Sequence, residues 1–347
     1  EIGVRLVGSE MCIRDRFKPT HLSGEILSNF KTQEKKLVSL AGRILSIRKM
    51  GKASFFHLQD SMGKIQIFIK KDDIGESEYE NFQLLDIGDF VGIEGDVFKT
   101  KVGEISVKVK SMTILCKSIR PLPIVKEKED EVYDAFTSKE MRYRNRHLDL
   151  IVNPQVRETF YKRTKIISSI RSFLDNLGFL EVETPILQPI YGGANARPFT
   201  THHNTLGQKL FLRIADELYL KRLIIGGYEK VYEIAKDFRN EGMDRSHNPE
   251  FTMLEFYWAY ADYNDCMILV EEIIRSAAKK VGKLTIKWGE IDIDLSKKFE
   301  CKTFYGLLNE ATGKDISLLD DNDLFDVCKS QNLEIEKNAN TGQMLDS

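Results

Sequence analysis

The hydrophobic residues of this chain change their spacing once, and that change limits the folds it can adopt. Over residues 37–115 apolar and polar residues alternate in short runs, as in residues 65–69. Alternation with a period of two is typical of strands with two different faces. Over residues 153–178 the apolar residues recur at helical spacing instead. The order predicts an α+β chain, and 347 residues at about 150 per domain predict two domains.

The overall composition narrows the class of protein. Hydrophobic residues make up 42% and charged residues 30%, which is the balance of a globular chain rather than a disordered one. The net charge of 51 − 53 = −2 gives no general attraction to nucleic acid, so any RNA contact needs local patches. No apolar run approaches the roughly 20 residues of a membrane span, and no secretory signal is recognised.

The five cysteines are scattered along the chain at positions 12, 116, 266, 301 and 328. No two of them have the spacing of a zinc or redox motif. Reduced thiols and a cytoplasmic location are therefore expected.

The chain divides into five predicted segments. Residues 9–16 resemble a translated sequencing adapter, and the chain stops at Ser347 just as a new apolar pattern begins, so we expect both ends to be cut. The charged linker at residues 119–152 has two open interpretations, a solvated helix and a segment that helps to hold an RNA. The predicted segments are a foreign stretch at 1–16, an N-terminal extension at 17–36, a β-barrel at 37–118, a linker at 119–152 and a second domain at 153–347.

The predicted barrel has the composition of an oligonucleotide-binding fold. About five strands fit into about 80 residues, with glycine at the hairpin tips and with Gly88, Gly92 and Gly95 expected to break up one strand. Phe55 and Phe56 lie near several lysines. Because strand neighbours point to opposite faces, one phenylalanine is expected in the core and the other free to stack on a base. The alternative is that both are core residues and the lysines are merely solvated.

Residues 230–260 predict two strands joined by a polar loop. Parity places Glu233, Asp237 and Arg239 on one face of the first strand, and Glu255 and Tyr257 on one face of the second. We call this shared polar face of the two strands the floor. Its charged side chains are costly to bury unless a ligand or partner charges satisfy them. The pattern alone therefore leaves two readings open, a ligand site and a structural ion-pair network.

Taken together, the motifs resemble the lysyl subgroup of the class II aminoacyl-tRNA synthetases. Residues 178–185 after the long helix are similar to the family's first motif, and residues 238–242 with 247–252 to its second. Further similarity to the lysyl subgroup lies in residues 51–55, 143–150, 192–199 and 217–222. The resemblance implies an N-terminal OB-fold barrel that binds the anticodon, followed by a catalytic domain built on an antiparallel sheet.

The resemblance also implies a reaction and a set of roles. Lysine and ATP would give lysyl-adenylate, and the lysyl group would pass to tRNA(Lys), with Mg²⁺ as cofactor and a homodimer formed through the first motif. Arg239 would be the catalytic residue, contacting both lysine and ATP. The remaining expected roles are ATP binding by Glu241, His247, Asn248 and Phe251, lysine binding by Gly193, Glu217, Glu255 and Tyr257, and anticodon binding by Phe55, Gln66 and Glu104.

The chain departs from the family in one respect. It contains no third motif and none of the acidic residues that would hold magnesium, so we expect no metal ligands in these 347 residues and no catalysis by them alone. An aspartyl- or asparaginyl-type synthetase is one alternative, although Glu255 and Tyr257 argue against it. The others are an enzyme that attaches lysine to a translation protein, which would lack the barrel, and a non-catalytic tRNA-binding protein.

Overall fold

The computed structural model describes residues 17–123, 126–128, 131–133, 136–244, 246–336 and 339–347. The segment predicted to be foreign, residues 1–16, lies outside the described residues, as does part of the charged linker. Packing divides the chain into two compact units, an N-terminal unit of residues 1–160 and a C-terminal unit of residues 161–347. The sequence placed the start of the second domain at residue 153 instead.

The N-terminal unit is built on five long strands. Its elements in chain order are α1 (Ser23–Ser28), α2 (Phe30–Gln33), β1 (Leu37–Met50), β2 (Ala53–Gln59), β3 (Lys64–Lys70), α3 (Lys71–Ile74), α4 (Glu76–Gln83), β4 (Phe90–Lys99), β5 (Ile105–Cys116), β6 (Lys126–Lys128), β7 (Glu131–Tyr133), α5 (Lys139–Arg144) and α6 (Arg146–Val152). Strands β1 to β5 close into a barrel in the order β1-β2-β3-β5-β4. The five-stranded barrel predicted from the sequence is therefore confirmed.

Alternation along the strands builds the core of the barrel. Ile65, Ile67 and Ile69 of β3 are buried, while the residues between them are partly exposed. They pack with apolar residues from every other barrel strand and with Phe82 of α4, which closes one part of the core. The hydrophobic effect of these buried side chains fixes which face of each strand remains outside.

Gly95 permits a close approach of two barrel strands, whereas a Cβ atom on Gly92 would meet the ring of Phe17. The sequence suggested that Gly92 and Gly95 break up a strand, but β4 is continuous from Phe90 to Lys99. A Cβ atom on Gly95 would lie only 2.1 Å from the carbonyl oxygen of Lys108, and the β4–β5 register shifts at this point. Gly95 thus allows a tight bend within a paired strand.

The C-terminal unit follows a long helix that begins in the first unit. Its elements are α7 (Pro154–Asn176), β8 (Leu180–Glu181), β9 (Leu187–Gln188), β10 (Thr200–His203), β11 (Gln208–Leu212), α8 (Glu217–Ile225), β12 (Lys230–Phe238), β13 (Glu250–Trp258), α9 (Tyr263–Val281), β14 (Thr285–Trp288), β15 (Ile291–Asp294), α10 (Phe304–Thr312), a 3₁₀ helix (Ile316–Leu318), α11 (Asp321–Ser330) and α12 (Thr341–Asp346). None of the helices in the described ranges combines the length and apolarity needed to cross a membrane.

An antiparallel pair, β12 and β13, forms the centre of this unit. Leu254, Phe256 and Trp258 line its apolar side, and Phe179 packs edge-on against the last two. The core beneath them includes Leu174 of α7 and residues of α9. The opposite, polar side of the pair is thereby left to face the candidate site.

The chain that follows α7 forms only one short strand, β8, before residue 185. Only β8 pairs, in parallel with Val231 and Tyr232 of β12. Thr184 leaves the ladder, and both its backbone N–H and its hydroxyl donate to the Glu233 carboxylate, at 3.2 and 2.6 Å. A side-chain acceptor has replaced the ladder bond there, which explains the early end of the strand.

Candidate active site

The register of β12 and β13 sets the floor of the candidate site. Glu233 lies opposite Glu255, and Asp237 lies opposite Phe251. Because opposed residues of an antiparallel pair share a face, these four side chains lie together, as parity predicted. The sequence left open whether such a floor is a ligand site or an ion-pair network, and the contacts below contain elements of both.

A buried arginine that the sequence analysis missed lies within this floor. Arg213 follows β11 and is 3% exposed. Its Nη1 donates to Glu233 Oε1 at 2.8 Å and to Thr184 Oγ1 at 3.1 Å, and its Nε donates to the carbonyl of Lys236 at 3.0 Å. Arg213 therefore ties β12 to the chain segment before it and supplies the positive charge of an internal network.

Two aspartates complete the network, and neither was predicted as a site residue. Asp216 and Asp237 are fully buried and lie 3.0 and 3.3 Å from nitrogen atoms of Arg213. Their four carboxylate oxygens nevertheless make no hydrogen bond. Burial is the main reason why the pKa of both groups is raised above the usual range of aspartic acid, and the Asp237 charge raises that of Asp216 further.

Glu255 has the environment of a receptor for a cation. Tyr257 Oη donates to Glu255 Oε2 at 3.2 Å, and the backbone N–H of Asp216 donates to Oε1 at 3.4 Å. Burial raises the pKa of Glu255 and also that of the Tyr257 hydroxyl. No lysine, arginine or histidine forms an ion pair with Glu255 among the described residues, so its charge is left for a ligand to balance.

Gly193 and Glu217 are brought together, as their expected shared role requires. Gly193 has a φ of 89°, and a Cβ atom there would lie 2.8 Å from the Cβ of Glu217. Glu217 is the first residue of α8 and accepts a hydrogen bond from Lys221 one turn later, at 2.7 Å. The glycine thus allows the loop to pass directly against the start of the helix.

The residues expected to bind ATP fall into two groups. Arg239 lies with its Cζ 5.1 Å from the centre of the Phe251 ring, and its Nε donates to the carbonyl of Ile214 at 3.4 Å. Glu241 is exposed and accepts from the backbone N–H of Arg197 at 3.4 Å. These contacts connect the end of β12 to the floor and to the loop that carries Gly193.

His247 and Asn248 belong to the loop between β12 and β13. His247 Nδ1 lies 2.7 Å from Asp244 Oδ2, and this hydrogen bond holds the pKa of Asp244 below its usual range. Asn248 donates to the carbonyl of Glu250 at 2.6 Å. The hydrogen bonds of His247 and Asn248 in the described part of the chain stay within residues 244–250.

The barrel contains a second group of expected site residues. Gln66 Nε2 donates to Glu104 Oε2 at 2.8 Å, and Ser106 Oγ donates to Gln66 Oε1 at 2.8 Å. Phe55 lies on the same outer face and is partly exposed, whereas Phe56 is 1% exposed and belongs to the core. The prediction that one of the two phenylalanines lies in the core and the other does not is confirmed, while stacking of Phe55 on a base stays a prediction.

The described ranges contain no group of three or more histidine, cysteine, aspartate or glutamate residues placed to hold a metal ion. The two histidines His202 and His203 lie side by side on the exposed strand β10. Neighbouring strand residues point to opposite faces, so they do not form a chelating pair.

Family models match both units of the chain. A model described as class II tRNA synthetases (D, K and N) matches residues 138–338, and a model described as an OB-fold nucleic acid binding domain matches residues 38–115. The first match covers more than half of the chain.

Two similar relatives are named lysine–tRNA ligase. The protein from Porphyromonas gingivalis is 50% identical over 334 residues, which cover 93% of this chain and 58% of the relative. The protein from Carboxydothermus hydrogenoformans is 50% identical over 332 residues, covering 95% and 67%. The chain thus spans about three fifths to two thirds of the length of these relatives.

Proposed function

The chain belongs to the class II tRNA synthetase family (D, K and N), and on that premise we propose that it activates L-lysine with ATP and transfers the lysyl group to tRNA(Lys). The observation that carries this proposal is the pairing of Glu255 with Tyr257 on the floor of the site. A half-buried carboxylate without a cationic partner is matched by an ammonium group. The relatives' names agree with that chemistry.

The same pair supports discrimination in favour of lysine. An uncharged side chain would leave Glu255 buried and unpaired, which costs far more than the loss of one ordinary contact. An aspartate substrate would add a further negative charge. The alternative of an aspartyl or asparaginyl enzyme therefore fits this floor poorly.

The first step requires charge stabilisation rather than a general base. A lysine carboxylate oxygen attacks the α-phosphorus, a new O–P bond forms, and the bond to the β-phosphate breaks to release pyrophosphate. We assign to Arg239 the neutralisation of the carboxylate and α-phosphate during this attack. In the second step a ribose hydroxyl of the tRNA attacks the activated carbonyl, and AMP leaves.

The other roles remain proposals at the positions described above. Gly193 and Glu217 would hold the α-amino group, Phe251 would stack on the adenine, Glu241 would accept from its amino group, and His247 and Asn248 would line the triphosphate. Mg²⁺ is proposed as a cofactor from the family alone. The described residues provide no site for it, and no step is assigned to it.

Three further proposals concern anticodon binding, the oligomeric state and the cellular location. Phe55, Gln66 and Glu104 on the outer face of the barrel would read the anticodon, since a partly exposed ring and an ordered amide suit a splayed base. The exposed apolar side chains of Leu177, just before the segment similar to the first motif, and of Leu180 within that segment favour a homodimer. The cytoplasm is the proposed location, because charged tRNA is used there.

Calorimetric titration with lysine, aspartate and asparagine tests the substrate directly. We expect heat of binding with lysine only. A protein that also includes a third motif should in addition catalyse lysine-dependent exchange of pyrophosphate into ATP. Binding of aspartate or asparagine in place of lysine would overturn the assignment. A labelled lysine-anticodon stem-loop tests the barrel separately.

A further inference from the structure

We propose that Asp216 and Asp237 share one proton in the unliganded protein and release it when a cationic amino acid binds at Glu255, which makes the pair a specificity-determining element. The inference rests on the proposed function, because it concerns the same substrate. Neither aspartate is expected to touch the substrate, so both are positioning residues.

The hydrogen-bonding geometry is the first support for this proposal. All four carboxylate oxygens of the pair are buried and lack a hydrogen bond. Arg213 is near enough to attract them, but its donors are directed at Glu233, Thr184 and the carbonyl of Lys236. A bare buried carboxylate is costly, whereas a protonated Asp216 can donate to Asp237.

The charges around the pair are the second support. The charged groups facing it are Arg213 from the segment before α8, Glu233 from β12, Arg239 from the end of β12, and Glu255 from β13. With the two aspartates, four carboxylates thus surround two guanidinium groups. Carboxylates buried beside one another retain a proton rather than all ionise, and burial together with the Asp237 charge raises the pKa of Asp216 accordingly.

A direct connection joins the pair to the expected substrate position. The backbone N–H of Asp216 donates to Glu255 Oε1, and Asp216 immediately precedes Glu217 at the start of α8. An ammonium group at Glu255 adds the positive charge that the cluster lacks. The O–H bond of Asp216 then breaks, its electron pair stays on the carboxylate, and the proton passes to solvent. An uncharged amino acid supplies no such charge, so the proton remains.

Lysine titration of the intact chain in two buffers with different heats of ionisation tests the release. Near pH 7 we expect the apparent heat of binding to depend on the buffer, with up to one proton released for each lysine bound. Asp216→Asn should bind lysine with a buffer dependence that is smaller by up to one proton for each lysine, while Asp292→Asn, an exposed control on β15, should retain the full dependence. Titration of lysine's own α-amino group is common to all three proteins and cancels in the comparison.

The possible failures can be told apart. Lysine binding with the same buffer dependence in wild type and Asp216→Asn would overturn the shared proton and leave the proposed function intact. Absence of lysine binding would overturn the proposed function. In that case infrared spectroscopy of the unliganded protein still tests the proton, because a carboxylic acid C=O band at neutral pH must disappear in Asp216→Asn. If wild type lacks that band, the inference is wrong.

Discussion

Gly193 and Glu217 approach so closely that a Cβ atom on Gly193 would lie 2.8 Å from the Cβ of Glu217. Gly193→Ala should therefore displace α8 or the loop, and the positive φ of 89° adds backbone strain of about 1–3 kcal/mol. We expect lysine binding to weaken by about tenfold or more, as measured by calorimetry. Gly192→Ala is the matched control, since its Cβ would meet only the end of the Leu218 side chain. Equal losses in both variants would contradict the specific role of Gly193.

Glu255→Gln should remove most of the affinity for lysine. The substitution keeps the shape of the side chain but removes the charge that an ammonium group needs, at a cost of about 2–5 kcal/mol. Tyr257→Phe, which deletes one neutral hydrogen bond, should cost only about 0.5–1.5 kcal/mol. Glu250→Gln on the same strand is exposed and serves as the control. Unchanged lysine affinity in Glu255→Gln would place the ammonium elsewhere.

Arg213→Met should destabilise the C-terminal unit. Its removal leaves Glu233, Asp216 and Asp237 buried without their counter-charge, and loss of one partner from a buried network costs about 3–5 kcal/mol. Arg171→Met, which breaks a surface pair with Glu181, should cost less than about 1 kcal/mol. Urea unfolding followed by tryptophan fluorescence reports on this unit, because both tryptophans lie in it. Similar midpoints for the two variants would show that Arg213 is dispensable for stability.

Asp216→Asn should change how stability depends on pH. The pKa of Asp216 rises from 3.8 to about 8 on folding, so the folded protein holds a proton that the unfolded chain releases. The free energy of unfolding therefore falls as the pH rises from about 4 to about 8. The Asp216→Asn variant should not show this decrease, because asparagine does not ionise. Relative to wild type it should gain about 4 kcal/mol between pH 5 and pH 8.5, because one extra bound proton is worth about 1.4 kcal/mol for each pH unit. Parallel pH profiles, measured by urea unfolding, would show that Asp216 ionises normally.

Phe55→Ala and Phe56→Ala should separate binding from folding in the barrel. Phe55 is partly exposed, so its loss should weaken binding of a lysine-anticodon stem-loop by about 1–3 kcal/mol with little change in stability. Phe56 packs against Phe82 in the core, and its loss should cost about 3–5 kcal/mol of stability. Fluorescence anisotropy with labelled RNA and thermal unfolding give the two quantities. If Phe55→Ala binds RNA as tightly as wild type, the outer face of the barrel is not the reader.

The sequence predicted the parts of the fold that depend on local periodicity. The helical spacing over residues 153–178 corresponds to α7, Pro154–Asn176, because the apolar residues of this helix repeat regularly along one face. The parity of β12 and β13 was also correct, since a shift of one residue would move the polar set to the core side of the pair and the apolar set to the side of Arg213. The local hydrophobic pattern is sufficient to predict a helix or the two faces of a strand, because both depend on the sequence of that element alone.

The network around Arg213 could not be predicted in the same way. Arg213 and Asp216 lie in an irregular segment between β11 and α8, and their partners on β12 are about twenty residues away. Parity indicated that Glu233 and Asp237 point to the same side, but not which cation meets them there. The one available signal was that inward-facing carboxylates need a counter-charge, which makes any arginine just before α8 a candidate.

The two hydrogen bonds of Gln66 have a consequence for the reading of nucleobases. Ser106 donates to its oxygen and Glu104 accepts from its nitrogen, so the amide is held in one orientation. An amide that is free to rotate can offer a donor or an acceptor to either edge of a base and so tolerates several bases. One that is locked presents a fixed polarity, and a base with the opposite pattern must break a bond within the protein in order to dock. In the proposed anticodon-binding role, the fixed amide of Gln66 would therefore disfavour a base with the opposite pattern as well as bind the matching one.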